Sequence, residues 1–381
     1  MIQIKNLQDC CGCSACAQGC PKQCIQMVQD KEGFLYPQIN KNQCIDCGLC
    51  EKICPFLNQS TPNQAIKAFA AYNTDSQIRK NSSSGGIFSL FADWIIQQQG
   101  VVFGASFNAE WDIVHVYITR LNELQKLQGS KYIQSNIGQS FKEVKSFLDK
   151  GKKVLFSGTP CQVSGLKHFL RKEYPNLFTI DFICHGVPSP LIWQLYLNET
   201  ISKRHKQKSD IKSINFRNKD KGWKDFQFTI NAQPYLVKES TKENVYMKAF
   251  LSNLILRPSC HSCRIKSGRS GSDITIGDFW KVENVIPEWN DDKGTSAIII
   301  NSEKGEELFS SVTCKKKSVE TEKIIQYNIA YNESAKKNPS REYFFNHLTS
   351  KKSIYKQIEH TFPLKTRIKR TIKNFLSLLA K

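Results

Sequence analysis

Apolar and polar positions follow a changing rhythm along the 381 residues. The polar stretch "LNQSTPNQ" (57–64) reads as a linker. Beyond it, strand-like and helix-like segments alternate. "IKAFAAYN" (66–73) predicts a strand, and "SSSGGIFSLFADWIIQQQG" (82–100) a loop feeding a helix capped by Ser84 and closed by Gly100. "VVFGASF" (101–107) is a strand and "IGQSFKEVKSFLDKGKK" (137–153) an amphipathic helix. "VLFSG" (154–158) is a short buried strand, followed by a helix over "QVSGLKHFLRKEY" (162–174). The strand "LFTIDFIC" (177–184) and the helix "LIWQLYLNETISK" (191–203) complete this run. Such alternation predicts an α/β fold, with a mixed, mostly parallel sheet flanked by helices. "IKSINFRN" (211–218) and "DFQFTINAQPYLV" (225–237) alternate with period two, as antiparallel strands at a sheet margin do. "DITIGDFW" (273–280) and "TSAIIIN" (295–301) are two more strands, and the remainder is helical in character. It ends in "FPLKTRIKRTIKNFLSLLAK" (362–381), where Leu364, Ile368, Ile372, Phe375 and Leu379 share one helical face.

Cysteine spacing adds chemistry. Cys10-x2-Cys13-x2-Cys16-x3-Cys20-Pro21 is repeated as Cys44-x2-Cys47-x2-Cys50-x3-Cys54-Pro55. This is the bacterial ferredoxin run, in which the fourth cysteine serves the other cluster. One 4Fe-4S cluster would take Cys10, Cys13, Cys16 and Cys54, and the other Cys44, Cys47, Cys50 and Cys20. Zinc usually takes four ligands as two pairs, and the doubled triple run fits it poorly. Cys11 and Cys24 fall out of register. A small ferredoxin-like α+β module is therefore expected before the α/β domain.

Four more cysteines form a second constellation. Cys161 and Cys184 each follow a predicted strand and precede a helix. In an open parallel sheet this is the crevice where ligands bind. "CHSC" contributes Cys260 and Cys263. Together they make a four-thiolate set for a third 4Fe-4S cluster, the alternative being that Cys161 and Cys184 merely pack the sheet ends. Nearby loops suit a phosphate-bearing cofactor. Ser83, Ser84, Gly85 and Gly86, then Gly158, Thr159 and Pro160, offer free N–H groups at helix starts, and "GSKY" adds Lys131. Beside one-electron clusters they suggest a flavin. His185, next to Cys184, is the candidate general acid, against the plainer role of bonding a loop carbonyl.

Composition bounds the function. A mean hydropathy of −0.42, without an apolar run of membrane-spanning length, describes a soluble globular protein. Fifteen cysteines without an apolar leader point to a reducing, cytoplasmic compartment. The net charge of +20 is uneven. Residues 1–60 are balanced, whereas 351–381 carry nine Lys or Arg against one Glu. The basic end could dock on an anionic membrane or simply pack. No nucleic-acid motif is present.

"SSSGGIFS", "GSKYIQS", "FSGTPCQVSGLK", "DFICHGVPSP", "FRNKDKGW", "CHSC" and "SDITIGDFW", in that order, give the chain a resemblance to the family of coenzyme F420 hydrogenase/dehydrogenase beta subunits. That family includes ferredoxin-dependent reductases such as 7-hydroxymethyl chlorophyll a reductase. The resemblance implies FAD in the central domain with a cluster next to it, and electron exchange with a second acceptor. Members with this N-terminus resemble proteins encoded among polysaccharide-synthesis genes. The expected organisation is a 2×(4Fe-4S) module over 1–60, a flavin- and cluster-binding domain over 65–300 and a helical region over 301–381. The expected function is an oxidoreductase relaying electrons to a small substrate. The alternatives are a non-catalytic subunit delivering electrons to a partner protein, such as a ferredoxin or reductase, and a zinc-stabilised scaffold.

Overall fold

The computed structural model describes residues 1–232 and 235–363. The basic helix expected over 362–381 therefore lies, from residue 364 onward, outside the described residues. In the N-terminal module β1 (Ile25–Gln29) and β2 (Leu35–Ile39) pair antiparallel. Short helices at Ala15–Gly19 and Leu49–Lys52 follow within the two cysteine runs. The runs turn tightly because Gly12 and Gly48 adopt φ of 71° and 70°, which glycine tolerates without strain.

The next strands are β3 (Lys67–Tyr72), β4 (Val101–Phe107), β5 (Ile113–Ile118), β6 (Val154–Gly158) and β7 (Leu177–Phe182). They are followed by β8 (Ser213–Asn218), β9 (Gln227–Asn231), β10 (Tyr235–Ser240), β11 (Ile274–Asp278), β12 (Ser296–Ile300) and β13 (Lys315–Val319). Eight of them form one sheet in the order β13-β3-β12-β11-β7-β6-β4-β5. Its centre, β4-β6-β7-β11, pairs in parallel, and the pairings at both margins are antiparallel. The central strands are apolar on both faces, as covered parallel strands must be. Val154 and Phe156 point to the helices Ser140–Asp149 and Pro160–Leu170. Leu155 points the other way, to the helices Ile87–Gln97 and Glu303–Ser310.

Three expectations need correction. The strands β8, β9 and β10 form a separate antiparallel sheet rather than a margin of the main one. They bury Phe216, Phe228 and Ile230 against Trp193, Tyr196 and Tyr246. The supposedly helical remainder contains β13, whose Lys315, Lys316 and Lys317 sit exposed on the sheet edge, where charge blocks further strand pairing. Ser84 does not cap the helix after it. Gly86 occupies that position, and Ser84 Oγ donates to the Thr295 carbonyl at 2.9 Å.

The module does not hang on its linker. Cys11, Cys13, Ala15 and Phe56 share a core with Phe141, Val163 and Leu166. Arg257, 1% exposed, donates from Nε to the Cys10 carbonyl and from its terminal nitrogens to Gln134 Oε1 and the Leu35 carbonyl. Gln18 Oε1 accepts from the Phe141 and Lys142 amides. A buried ion pair joins Glu32 to Arg341. No helix among the described residues is long and apolar enough to cross a membrane.

Candidate functional site

A cavity of about 520 Å³ opens at the carboxyl ends of the parallel strands. This volume is typical of cofactor sites. Ser83, Ser84, Gly86, Lys131, Gly158 and Thr159 line it, with Cys184 and His185. Two helix N-termini, at Gly86–Ile87 and Thr159, therefore face the same space, where the positive ends of the helix dipoles favour an anion. Thr159 and Gln162 form a capping box, with Pro160 as the first helical residue. Gly85 and Pro160 stand behind the wall. Gly85 packs on β3 and β12 so closely that a Cβ would lie 2.5 Å from the Ala71 carbonyl, which leaves room only for glycine. Lys131 donates to the Gln128 and Gly129 carbonyls, and burial pulls its ammonium down to about 7. A neighbouring phosphate would hold the charge on.

Residues of the "FRNKDKGW" and "SDITIGDFW" segments complete the wall, although their roles were not legible from the sequence. Arg217 makes a two-pronged pair with Asp278 at 2.8 and 3.2 Å, and Trp223 Nε1 donates to the same carboxylate. Trp223 stacks on Trp280 at 4.8 Å and 10°, which lays a flat indole along the cavity. Lys219 donates three bonds, to the Arg79, Ser84 and Lys293 carbonyls. Three acceptors need three protons, so the charged form clamps the serine loop.

Two buried polar atoms of wall residues have no partner, Arg217 Nε and His115 Nδ1. One is a donor. The other is an acceptor, because His115 Nε2 donates to the Ser157 carbonyl. Orphaned buried groups of this kind call for an explanation. Neither atom is accessible from the cavity, so a ligand there would not satisfy them without movement of the wall. Burial also lowers the His115 pKa from 6.5 to about 4. The unfolded chain binds that proton more readily between these values. The contribution is therefore fully present above pH 6.5 and lost as pH falls towards 4, worth about 3 kcal/mol. Urea unfolding at pH 7 and 4.5 should show most of that loss in the unaltered chain and much less in His115→Gln.

His185 Nε2 lies 2.6 Å from Asn253 Oδ1. Asn253 Nδ2 donates to the Lys336 carbonyl, which fixes the amide so that Nε2 must be the donor. In the neutral ring Nδ1 is then the acceptor. Burial lowers the pKa of this ring, so the residue expected to be a general acid is held in the form of a proton acceptor.

The expected cysteine groups are not cleanly separate, since Cys24 Sγ lies 3.4 Å from Cys20 Sγ and lines the same pocket. Cys16 and Cys54 feel the charge of Cys10, and Cys13 that of Cys16 and Cys54. Cys20, Cys44, Cys47 and Cys50 line one small surface pocket. Cys161, Cys184, Cys260 and Cys263 come from three places in the chain, yet they are mutually close enough that ionising one opposes ionising another. Burial pushes Cys260 up to about 12 and Cys184 further. Four such thiols ionise together only with compensating cations. Val187 N donates to Cys260 Sγ at 3.4 Å. Cys184 also lines the cavity, so this third set borders it directly. Cys11, outside the expected sets, is within hydrogen-bonding reach of Cys13 and Cys161. Among the described residues no three side chains converge tightly enough for a single metal ion. A cubane instead gives each thiolate its own iron.

The doubled cysteine runs mark a protein with an iron–sulfur module. Residues 9–58 match the 4Fe-4S dicluster domain, and residues 151–327 match the C terminus of the coenzyme F420 hydrogenase/dehydrogenase beta subunit. The chain carries that family's C-terminal domain behind a 4Fe-4S dicluster domain. It is 22% identical over 311 residues, 80% of its length, to a coenzyme F420-dependent sulfite reductase from Methanocaldococcus jannaschii, of which it covers 46%. It is 22% identical over 162 residues, 40% of its length, to a subunit of the F(420)H(2) dehydrogenase from Methanosarcina mazei, again covering 46%. The chain thus spans about half the length of these curated relatives. A ferredoxin from Mycolicibacterium smegmatis is 32% identical over 75 residues, 19% of this chain and 65% of that protein. A chain of the F420-reducing NiFe hydrogenase complex from Methanosarcina barkeri superposes with a TM-score of 0.48 at 19% identity, over 73% of this chain and 97% of that one.

Proposed function

We propose that this protein is a cytoplasmic iron–sulfur flavoprotein reductase that relays single electrons to a flavin and on to a second acceptor. Cys10, Cys13, Cys16 and Cys54 would hold one 4Fe-4S cluster, Cys20, Cys44, Cys47 and Cys50 the second, and Cys161, Cys184, Cys260 and Cys263 a third. FAD would occupy the cavity, with its phosphates at the two helix N-termini and Lys131. When bound, the clusters carry single electrons and the flavin converts them to pairs or hydride. The protein's own contribution is positional. Lys219 and Gly85 fix the serine loop, Arg217 and Trp280 shape a flat polar wall, and His185 Nδ1 offers a proton acceptor. The acceptor would be a protein or a small molecule. Polysaccharide synthesis is the setting that the family resemblance implies.

The observation that carries this reading is that Cys184 belongs both to the third thiol set and to the cavity wall. Anaerobic purification of the full chain tests it. About twelve irons, matching sulfide and one FAD per chain are expected, since each cubane holds four irons. Eight irons without flavin would leave the third set as packing thiols. The second reading, an electron-delivering subunit without its own substrate, is favoured by the likeness to a subunit of the F(420)H(2) dehydrogenase. Turnover by the isolated, reconstituted chain with a strong reductant would decide for the reductase.

A further inference from the structure

Of the twelve cysteines in the three sets, only Cys47 is exposed. Beside it Ile45 is 60% exposed, and Met1, Pro21, Lys22 and Asp46 complete the rim. The charge around this spot differs from the module's balanced composition, because Asp9 and Glu32 pair with Arg264 and Arg341 of the larger domain, while Asp46, itself exposed, and Glu51 face the Met1 ammonium at the surface. Asp30 accepts from the Glu32 and Phe34 amides in its own turn. The lysines are not committed in this way. Lys22, Lys41 and Lys52 are exposed and form no ion pair among the described residues. Lys22 lies between Cys20 and Cys24, Lys41 lies three residues before Cys44, and Lys52 lies two after Cys50. An apolar spot over the most accessible thiol set is therefore flanked by unpaired positive charge.

We propose that the face around Cys47, with Ile45 at its centre and Lys22, Lys41 and Lys52 at its edge, docks an acidic one-electron carrier protein. This rests on the reading that Cys20, Cys44, Cys47 and Cys50 hold a cluster. A small apolar centre with a charged rim suits the brief encounters of redox partners, which bury little surface. Opposite charge speeds such encounters and makes them salt-sensitive. The exchange is one electron: the carrier is oxidised by one, the module's cluster is reduced by one, and no bond or proton moves.

Stopped-flow reduction of the anaerobically reconstituted full chain tests this, with a reduced acidic 2Fe-2S ferredoxin as the probe. Its second-order rate constant should fall about tenfold between about 0.05 and 0.5 M salt, as screening removes the attraction. The double variant K22E/K41E should lose about tenfold at low salt, and Ile45→Asn should slow the reaction at every salt concentration. Reduced methyl viologen, a small cation, should reduce K22E/K41E at least as fast as the unaltered chain. Ferredoxin rates indifferent to salt and to the lysine reversals, with iron content intact, would overturn the docking site. An unaltered chain lacking the second module cluster by iron and sulfide analysis would overturn the cluster reading and the docking site with it.

Discussion

Arg217→Met should cost about 3–5 kcal/mol of folding stability, the range for removing one partner of a buried ion pair. The Arg217 side chain is 3% exposed and that of Asp278 16%. Without the guanidinium, the carboxylate keeps the Trp223 indole as its side-chain donor, which cannot compensate its charge. Urea unfolding monitored by circular dichroism measures the loss. The double replacement Arg217→Met with Asp278→Leu should recover much of it, because no charge is then left buried. Arg217→Lys should recover only part, since an ammonium cannot reproduce the two-pronged contact. All three variants should hold less flavin after gel filtration, because the wall along the Trp280 indole loses its anchored edge. A single variant as stable as the unaltered chain would mean that Asp278 is neutralised some other way.

Cys184→Ser should lower bound iron by about four atoms per chain, one cubane's share, and should uncouple flavin reduction from reduction of the module. Cys161→Ser should do the same. Cys11→Ser and Cys24→Ser should leave iron unchanged, as both lie outside the three sets. Colorimetric iron and anaerobic flavin bleaching give the two readouts. Iron that stays constant through single substitutions of Cys161, Cys184, Cys260 and Cys263 would return all four to a packing role.

The site was legible in the sequence wherever its chemistry is local. The cysteine runs announce their module through spacing alone. The segments "VLFSG" and "LFTIDF" are apolar enough on both faces to be read as central strands, and they placed Cys161 and Cys184 at their carboxyl ends. What was missed depends on distant partners. The carbonyls that Lys219 clamps lie up to 140 residues away, and Asp278 lies 61 residues from Arg217. A lysine or arginine within a polar segment gives no local sign of such a partner. Period two identified β8 and β9 as strands but could not say which sheet they join, because alternation reports a half-buried face and not its neighbour. The lysines of β13 hid a strand, since an edge tolerates residues that a central strand rejects. Ser84 had the right chemistry for a cap, but Gly86, at φ 82°, brings the chain into the helix after the serine has turned to β12.

Arg257 sets a mechanical condition on the relay. Its side chain is anchored to the Cys10 carbonyl, to Leu35 and to Gln134, while its own backbone leads directly into the segment that carries Cys260 and Cys263. With the shared core around Phe56 and Phe141, this packs the dicluster module directly onto the α/β domain. Proteins that swing a carrier domain between donor and acceptor trade speed for reach. Here the distances between the thiol sets are set once, when the chain folds, and they do not depend on a tether finding its mark. On the proposed reading, the first 58 residues would serve as a built-in wire of fixed length rather than a detachable adaptor.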